Sequence, residues 1–439
     1  MQITQQGHQA HPIYVMPPRQ STKNRTYKFL RVLLIALGAM VVLNLNIFSN
    51  RLFNMGQLFS PFIFLICFLA LIYSRVGRVH GMPLAARFFG GSIFFFVLAA
   101  VLSGLANGIN SPVELAGQIA RDVASPIVFF ATVLIAGSMK KIAGEKAESQ
   151  ILTILFLLSL IGVCSVFLSL VFPQWHFFIR GDKTNLHVRF AGVYGNPNPA
   201  SMQSLSFMVI GLAKTAHSKN LRFLFASLIV GAAAILLTGS RAGILGTVFI
   251  VLPLGSLVFG AKQVIKTMIA GIAVLAVGIG IYFALQSQTN SSLAGQAKRA
   301  SMLLNMAEEG FNDDTTGGRT TLATIAFKMW KESPIIGHGI GSARTMLPYI
   351  DLGPHNYYLT ILVESGLFGF LPFFACWCFV GLKSFDRTNP NWLRILIIGV
   401  FLTISFYAMT SHTVFNQRNQ VFLIGAAMGL AVAVNPRRK

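Results

Sequence analysis

Apolar runs of about 20 residues recur almost end to end along this chain, and short polar stretches between them hold most of its charge. A run of that length is what an α-helix needs to cross the roughly 30 Å of bilayer hydrocarbon. Inside hydrocarbon every backbone N–H and C=O must be paired within the protein, so only helices or closed barrels span. Strand-like alternation is absent, which argues against a barrel. The expected fold is therefore an all-α polytopic membrane protein. About twelve spans are predicted, at 29–48, 57–73, 88–107, 123–138, 151–172, 200–216, 221–239, 242–260, 266–285, 357–382, 394–412 and 420–434.

Charge tests that count. An even number of spans puts both ends of the chain on one side, and that side collects 22 of the 35 Lys and Arg but only Glu145, Glu148 and Asp386 of the 13 acids. Basic loops stay in the cytoplasm, so both termini are expected there. Adding or deleting one span would invert everything downstream and break the alternation. The formal charge of +22 thus reports membrane orientation, and no nucleic-acid partner is expected. Cys67, Cys164, Cys376 and Cys378 all lie in apolar runs, so neither a disulfide framework nor a zinc site is expected. No small-residue cleavage site follows the first apolar run, which reads as an uncleaved span.

The predicted organisation is a basic cytoplasmic tail (1–28), nine spans (29–285) with an outer loop at 173–200, a large outer loop (286–356), three spans (357–434) and a short basic tail (435–439). The large loop exceeds what a connector needs, which favours function. Within it Leu322, Ile325, Ala326 and Met329 recur at helical spacing, predicting an amphipathic helix lying on the membrane surface.

Four polar landmarks fall on the expected outer side: Arg189, Arg241, Arg319 and His355. Charges next to hydrocarbon cost roughly 2.5–3.5 kcal/mol even on the cheaper insertion scale, so they mark function by default. Arg241 lies in Thr238-Gly239-Ser240-Arg241-Ala242-Gly243, where one span turns back into the next. Small neighbours let a ligand approach closely, although an arginine snorkelling at a helix end is the bland alternative. Arg189 opens a loop holding Tyr194 and Asn196, and Arg319 follows Gly317-Gly318. A rigid guanidinium fork suits phosphate. His355-Asn356 directly precedes a span, and an imidazole there can serve as a general base.

Other signals are discounted. Asp313-Asp314 has no further ligand at useful spacing, and no metal is expected. Gly337-His338-Gly339-Ile340-Gly341 lacks the strand–turn–helix setting of a nucleotide loop and reads as a tight turn after Pro334. The spans carry almost no ionisable residues apart from end groups such as Glu364, unlike a proton-coupled transporter.

Together these residues resemble the O-antigen ligase superfamily of bacterial inner-membrane glycosyltransferases. The family hallmark, a His-Asn pair, nine residues, Gly, two residues and Gly, reads here as His355-Asn356 followed by Gly366 and Gly369. The Thr-Gly-Ser-Arg turn at Arg241, the Gly-Arg start at Arg319 and the Arg189 loop are also similar, so the likeness covers about 189–369. It implies a GT-C-like, metal-independent, inverting glycosyltransferase without cofactor. Such an enzyme moves a polysaccharide from undecaprenyl diphosphate to a sugar hydroxyl of lipid A–core at the periplasmic face. By the same resemblance Arg241 and Arg319 hold the diphosphate, Arg189, Asn356, Tyr194 and Asn196 contact substrate, and His355 deprotonates the acceptor. An O-antigen polymerase and a protein O-oligosaccharyltransferase stay open within that class, and a lipid-linked glycan flippase outside it. The polymerases' paired Arg-x10-Gly segments are not matched by Arg189 or Arg319, where Ala200 and Trp330 follow at that spacing; Arg299 and Gly310 satisfy it once.

Overall fold

A computed structural model describes residues 20–45, 56–76, 84–106, 112–171, 179–180, 189–259, 273, 319–345 and 353–432. In chain order its helices are α1 (Gln20–Val42), α2 (Gly56–Val76), α3 (Leu84–Ala106), α4 (Pro112–Ala143), α5 (Glu145–Val171), α6 (Pro197–Ser218), α7 (Arg222–Thr238), α8 (Arg241–Gly246), α9 (Leu252–Phe259), α10 (Arg319–Glu332), α11 (Ser342–Thr345), α12 (Tyr357–Leu382), α13 (Asn391–Ala408) and α14 (Arg418–Leu430). A π-helical turn, Thr247–Val251, joins α8 to α9. Two two-residue strands, Ile179–Arg180 and Arg189–Phe190, pair antiparallel before α6.

Five described helices are long and apolar enough to cross a membrane, and three shorter apolar helices accompany them. The five fall on the expected spans 88–107, 123–138, 151–172, 357–382 and 394–412, and the expected span 242–260 is divided among α8, the π-helical turn and α9. The Asp313-Asp314 pair, Arg299 and, apart from residue 273, the expected span 266–285 lie outside the described residues.

Small residues set the closest helix pairs. Where α4 meets α14, a Cβ added at Gly425 would stand 3.0 Å from the Phe129 carbonyl oxygen, and one at Gly429 2.7 Å from Ala136. The α6–α7 contact is equally tight, since a Cβ at Gly231 would meet Met208 at 2.7 Å. Apolar tails offer no hydrophobic force between helices, so this close van der Waals approach is what associates them. A buried polar clamp adds direction. Gln203 of α6 accepts from Asn419 (2.9 Å) and Gln420 (3.1 Å) of α14 and donates to Ser159 of α5 (3.0 Å), while Ser206 donates to Gln420 (2.8 Å).

Helix α12 is discontinuous. Gly366 has φ 61° and ψ −162°, a region open essentially to glycine alone. The break leaves backbone groups without helical partners, and the segment after α10 fills it. His338 and Gly339 donate to the Val363 and Glu364 carbonyls (2.7 and 3.0 Å). Leu367 and Phe368 donate to the Pro334 and Ile335 carbonyls (2.9 and 3.0 Å). The same segment is tied to α3, because Ile340 donates to the Ala100 carbonyl (2.9 Å) and Ser103 Oγ to the Gly337 carbonyl (2.9 Å). The glycine tract expected as a simple turn is thus a plug in a broken helix. Non-helical backbone at that depth is tolerated where protein re-pairs it.

The amphipathic helix forms as α10, but its apolar stripe does not need a membrane surface. Leu322, Ala326 and Met329 are buried in one cluster with Ala343 and Val363, backed by Leu359 of α12. Protein packing satisfies that face.

Candidate functional site

Contacts place the predicted residues at one end of the bundle. Helix α6 runs antiparallel to α13: Ser201 Oγ lies 2.7 Å from Tyr407 Oη, and Gly399 faces Val209. Helix α8 starts beside Ser201, which an added Cβ on Gly243 would meet at 2.0 Å. Arg241 is therefore at the α13 exit, where His412 follows five residues after Tyr407. Leu322, one turn beyond Arg319, shares its apolar cluster with Leu359, one turn beyond His355. Arg189 pairs its backbone with Arg180 and leads directly into the α6 start.

Neutral side chains cap the helices that begin here. Asn196 accepts from the Asn198 N–H (3.0 Å), Ser240 from the Gly243 N–H (3.3 Å) and Asn356 from the Leu359 N–H (3.1 Å). Such caps quiet the orphan donors of a helix start. Asn196 and Asn356, expected as substrate contacts, thus use their side-chain oxygens for the fold. Tyr194 is displaced further from that expectation. It is buried at 4 % exposure, and its hydroxyl fills the space over Gly162 of α5, where an added Cβ would stand 2.2 Å from it.

His355 stands two residues ahead of α12 with φ 49°, a left-handed backbone uncommon for any residue but glycine. Its ring meets that of His412 edge to face, with centroids 5.3 Å apart. His412 was not expected from the sequence; it lies in the turn after α13. Gly353 makes its place, since a Cβ there would stand 2.9 Å from the His412 ring. Burial, with the Arg344 guanidinium adding repulsion, pushes the His412 imidazole down to about 4. It is neutral at neutral pH.

Beside this pair opens a cavity of about 70 Å³. Asp122 of α4, Arg344 of α11, Thr360 and Glu364 of α12, and His412 and Asn416 supply its polar lining. Phe96 and Tyr357 also line it. Phe373 and Phe415 pack tilted against Tyr357, with ring centroids 5.9 and 4.9 Å away, and Trp377 and Phe89 pack in turn against Phe415. Among the described residues no group of three or more His, Cys, Asp or Glu could hold a metal.

The family model described as O-antigen ligase matches residues 226–374. The matched segment is of the O-antigen ligase family. It spans about a third of the chain, from α7 into α12, and contains Arg241, Arg319, His355, Gly366 and Gly369. No curated protein matches the chain. The O-antigen ligase family covers ligases and polymerases, membrane glycosyltransferase-like enzymes that act on lipid-linked polysaccharides. Arg189, Tyr194, Asn196 and His412 lie outside the matched segment.

Proposed function

We propose that this protein transfers a polysaccharide from undecaprenyl diphosphate to a sugar hydroxyl of lipid A–core, as a lipopolysaccharide O-antigen ligase in the bacterial inner membrane. The observation that carries this reading is His355, held on a left-handed backbone at the edge of a polar cavity, at the same bundle end as Arg241 and Arg319. The other end collects Lys140, Lys141, Lys146, Lys214, Lys219, Arg222, Lys383, Arg387 and Arg394. By the positive-inside rule that end is cytoplasmic, which turns the cavity to the periplasm.

In this reading His355 takes the proton of the acceptor hydroxyl as its oxygen attacks the anomeric carbon. The bond from that carbon to the diphosphate oxygen breaks on the opposite face, and its electron pair leaves with the diphosphate. Configuration inverts in the single displacement. Arg241 and Arg319 stabilise the charge growing on the leaving group, with Arg189 assisting. Fixed donors aimed at developing charge are the largest common source of rate, and a diphosphate so stabilised needs little protonation.

Purified protein supplied with a lipid-linked glycan, and then with lipid A–core, with pilin or with neither, tests the assignment. Glycosylated lipid A–core is the expected product. Lengthened lipid-linked glycan without an added acceptor would make the protein a polymerase, and glycosylated pilin a protein glycosyltransferase. No product from any mixture, with donor intact, would reject glycosyl transfer altogether in favour of a flippase.

A further inference from the structure

The cavity beside His355 carries a chemistry that differs from that of the arginines. Two carboxylates line it, Asp122 and the 7 %-exposed Glu364, against the single guanidinium of Arg344. Arg241 and Arg319 are not among its lining residues. A diphosphate entering such a space would meet like charge, whereas sugar hydroxyls are recognised by this mixture of carboxylate, amide, hydroxyl and guanidinium groups, each able to accept or donate. Its volume of about 70 Å³ has room for several water-sized groups, matching the hydroxyl-bearing edge of a sugar ring. Among the described residues, His412 Nδ1 is buried with no hydrogen-bond partner. A buried polar atom in that state is costly until something pairs with it.

We infer that this cavity is the subsite for the acceptor sugar, and that His412 Nδ1 pairs with a hydroxyl of that sugar while its ring, packed on His355, sets the acceptor beside the base. His412 is a binding and positioning residue in this scheme. Its neutral imidazole keeps one nitrogen able to accept and the other able to donate. Asn416, on the next turn, contacts a second hydroxyl. The donor diphosphate lies outside the cavity, toward the arginines.

The assignment rests on the transfer reading above, and its test separates the two. Full-length protein in detergent is assayed with an undecaprenyl-diphosphate-linked glycan and with lipid A–core extracted from bacterial membranes as the acceptor probe. His412→Phe, which keeps a ring and removes both nitrogens, is expected to raise the acceptor KM about 10–100-fold, the range for leaving one buried partner unpaired. The kcat should stay within about threefold and the donor KM unchanged. His412→Asn, whose amide regains a polar atom near the Nδ1 position, should recover most of the loss. Asn416→Leu should raise the acceptor KM in the same direction, and it serves as the reading if His412→Phe fails to fold. An acceptor KM unmoved by these substitutions overturns the subsite, as does a rise in donor KM instead, or equal damage from Phe and Asn. Wild-type protein that transfers nothing takes down the transfer reading and this subsite together.

Discussion

The two ends of the bundle settle their polar groups in opposite ways. At the basic end, charged side chains complete the fold. Lys140 pairs with Glu148 at 3.1 Å and donates to the Leu430 carbonyl at the end of α14. Lys214 reaches Thr153 across α5 and α6 (2.8 Å), Lys383 pairs with Asp386, and Arg394 donates to the Ser384 carbonyl (3.0 Å). Cations at helix C-termini also suit the helix dipole. At the cavity end the caps are the neutral Asn196, Ser240 and Asn356. One end uses charge to close helices. At the other, the side chains that cap α6, α8 and α12 are neutral, while a histidine on a left-handed backbone and a buried, unpartnered imidazole nitrogen stand at a cavity. The lesson is that a cation beside a helix end can complete the fold, as Lys140 does, so position at a bundle end does not by itself give a charged group a functional role.

The hardest blow to this contrast would come from removing one charge at each end. Arg241→Ala and His355→Ala are each expected to lower transfer by at least about 10²–10³, the usual loss for a donor aimed at the reacting centre. Lys140→Ala, which strands Glu148 and the Leu430 carbonyl, should cost about 1–3 kcal/mol of stability and leave the initial rate of the folded protein within about twofold. Near-normal transfer by either of the first two, in protein that still extracts as a monodisperse species, removes that residue from the mechanism.

A second pair of substitutions probes the broken helix that backs the cavity. A Cβ at Gly366 would stand 2.2 Å from the Ile335 carbonyl oxygen on a backbone of φ 61°, so Gly366→Ala is expected to cost about 3 kcal/mol or more in strain and clash. Gly91, on an exposed position of α3, has nothing within 4 Å of an added Cβ, and Gly91→Ala should be silent. Thermal unfolding of the two variants side by side measures the difference. Equal midpoints would show that the plug at 334–339 can move aside at no cost.

How legible all this was in the sequence depends on the range of each interaction. Hydropathy located the helices, because a span is a local property of about 20 residues. The His-Asn pair and Gly366 were legible as a pattern, yet the reason for the glycine was not. The segment that pairs with the break starts at Pro334, and its own glycines read as an isolated turn. Tyr194 misled because an aromatic in a Gly- and Asn-rich loop looks exposed, while Gly162, thirty-two residues away, gives it a buried slot. Asn196 and Asn356 read as ligand contacts, and their side-chain oxygens also cap helices, a role their position just before a helix start predicts. His412 and Arg344 carried no local pattern at all; only the fold brings them to His355. The clamp between Gln203 and Asn419 spans 216 residues. Gln203→Ala, which strands those partners, is expected to destabilise by about 1–3 kcal/mol, and an unchanged unfolding midpoint would mean the clamp is dispensable.

The smallest effect separates the two ends by pH. His412 is held down to about 4 from an ordinary value of 6.5 by burial and then by Arg344, with His355, Asp122 and Glu364 also around it. Above 6.5 it is neutral whether folded or unfolded, and contributes nothing to the pH dependence. As pH falls below 6.5 the unfolded chain gains a proton that the native site refuses, so stability drops until about pH 4, where the native imidazole also protonates. At the basic end, Lys383 first and Thr388 second hold the Asp386 carboxyl well below its ordinary 3.8. Its contribution is full above 3.8 and is lost only as pH falls lower. Acidification should therefore weaken the cavity end first. Unfolding midpoints of wild type, His412→Asn and Asp386→Asn between pH 7.5 and about 3 resolve the two windows. His412→Asn should flatten the decline between about 6.5 and 4, and Asp386→Asn only that below about 4. If Asp386→Asn flattened the upper window instead, the two ends would not be separable by charge, and the contrast drawn between them would fail.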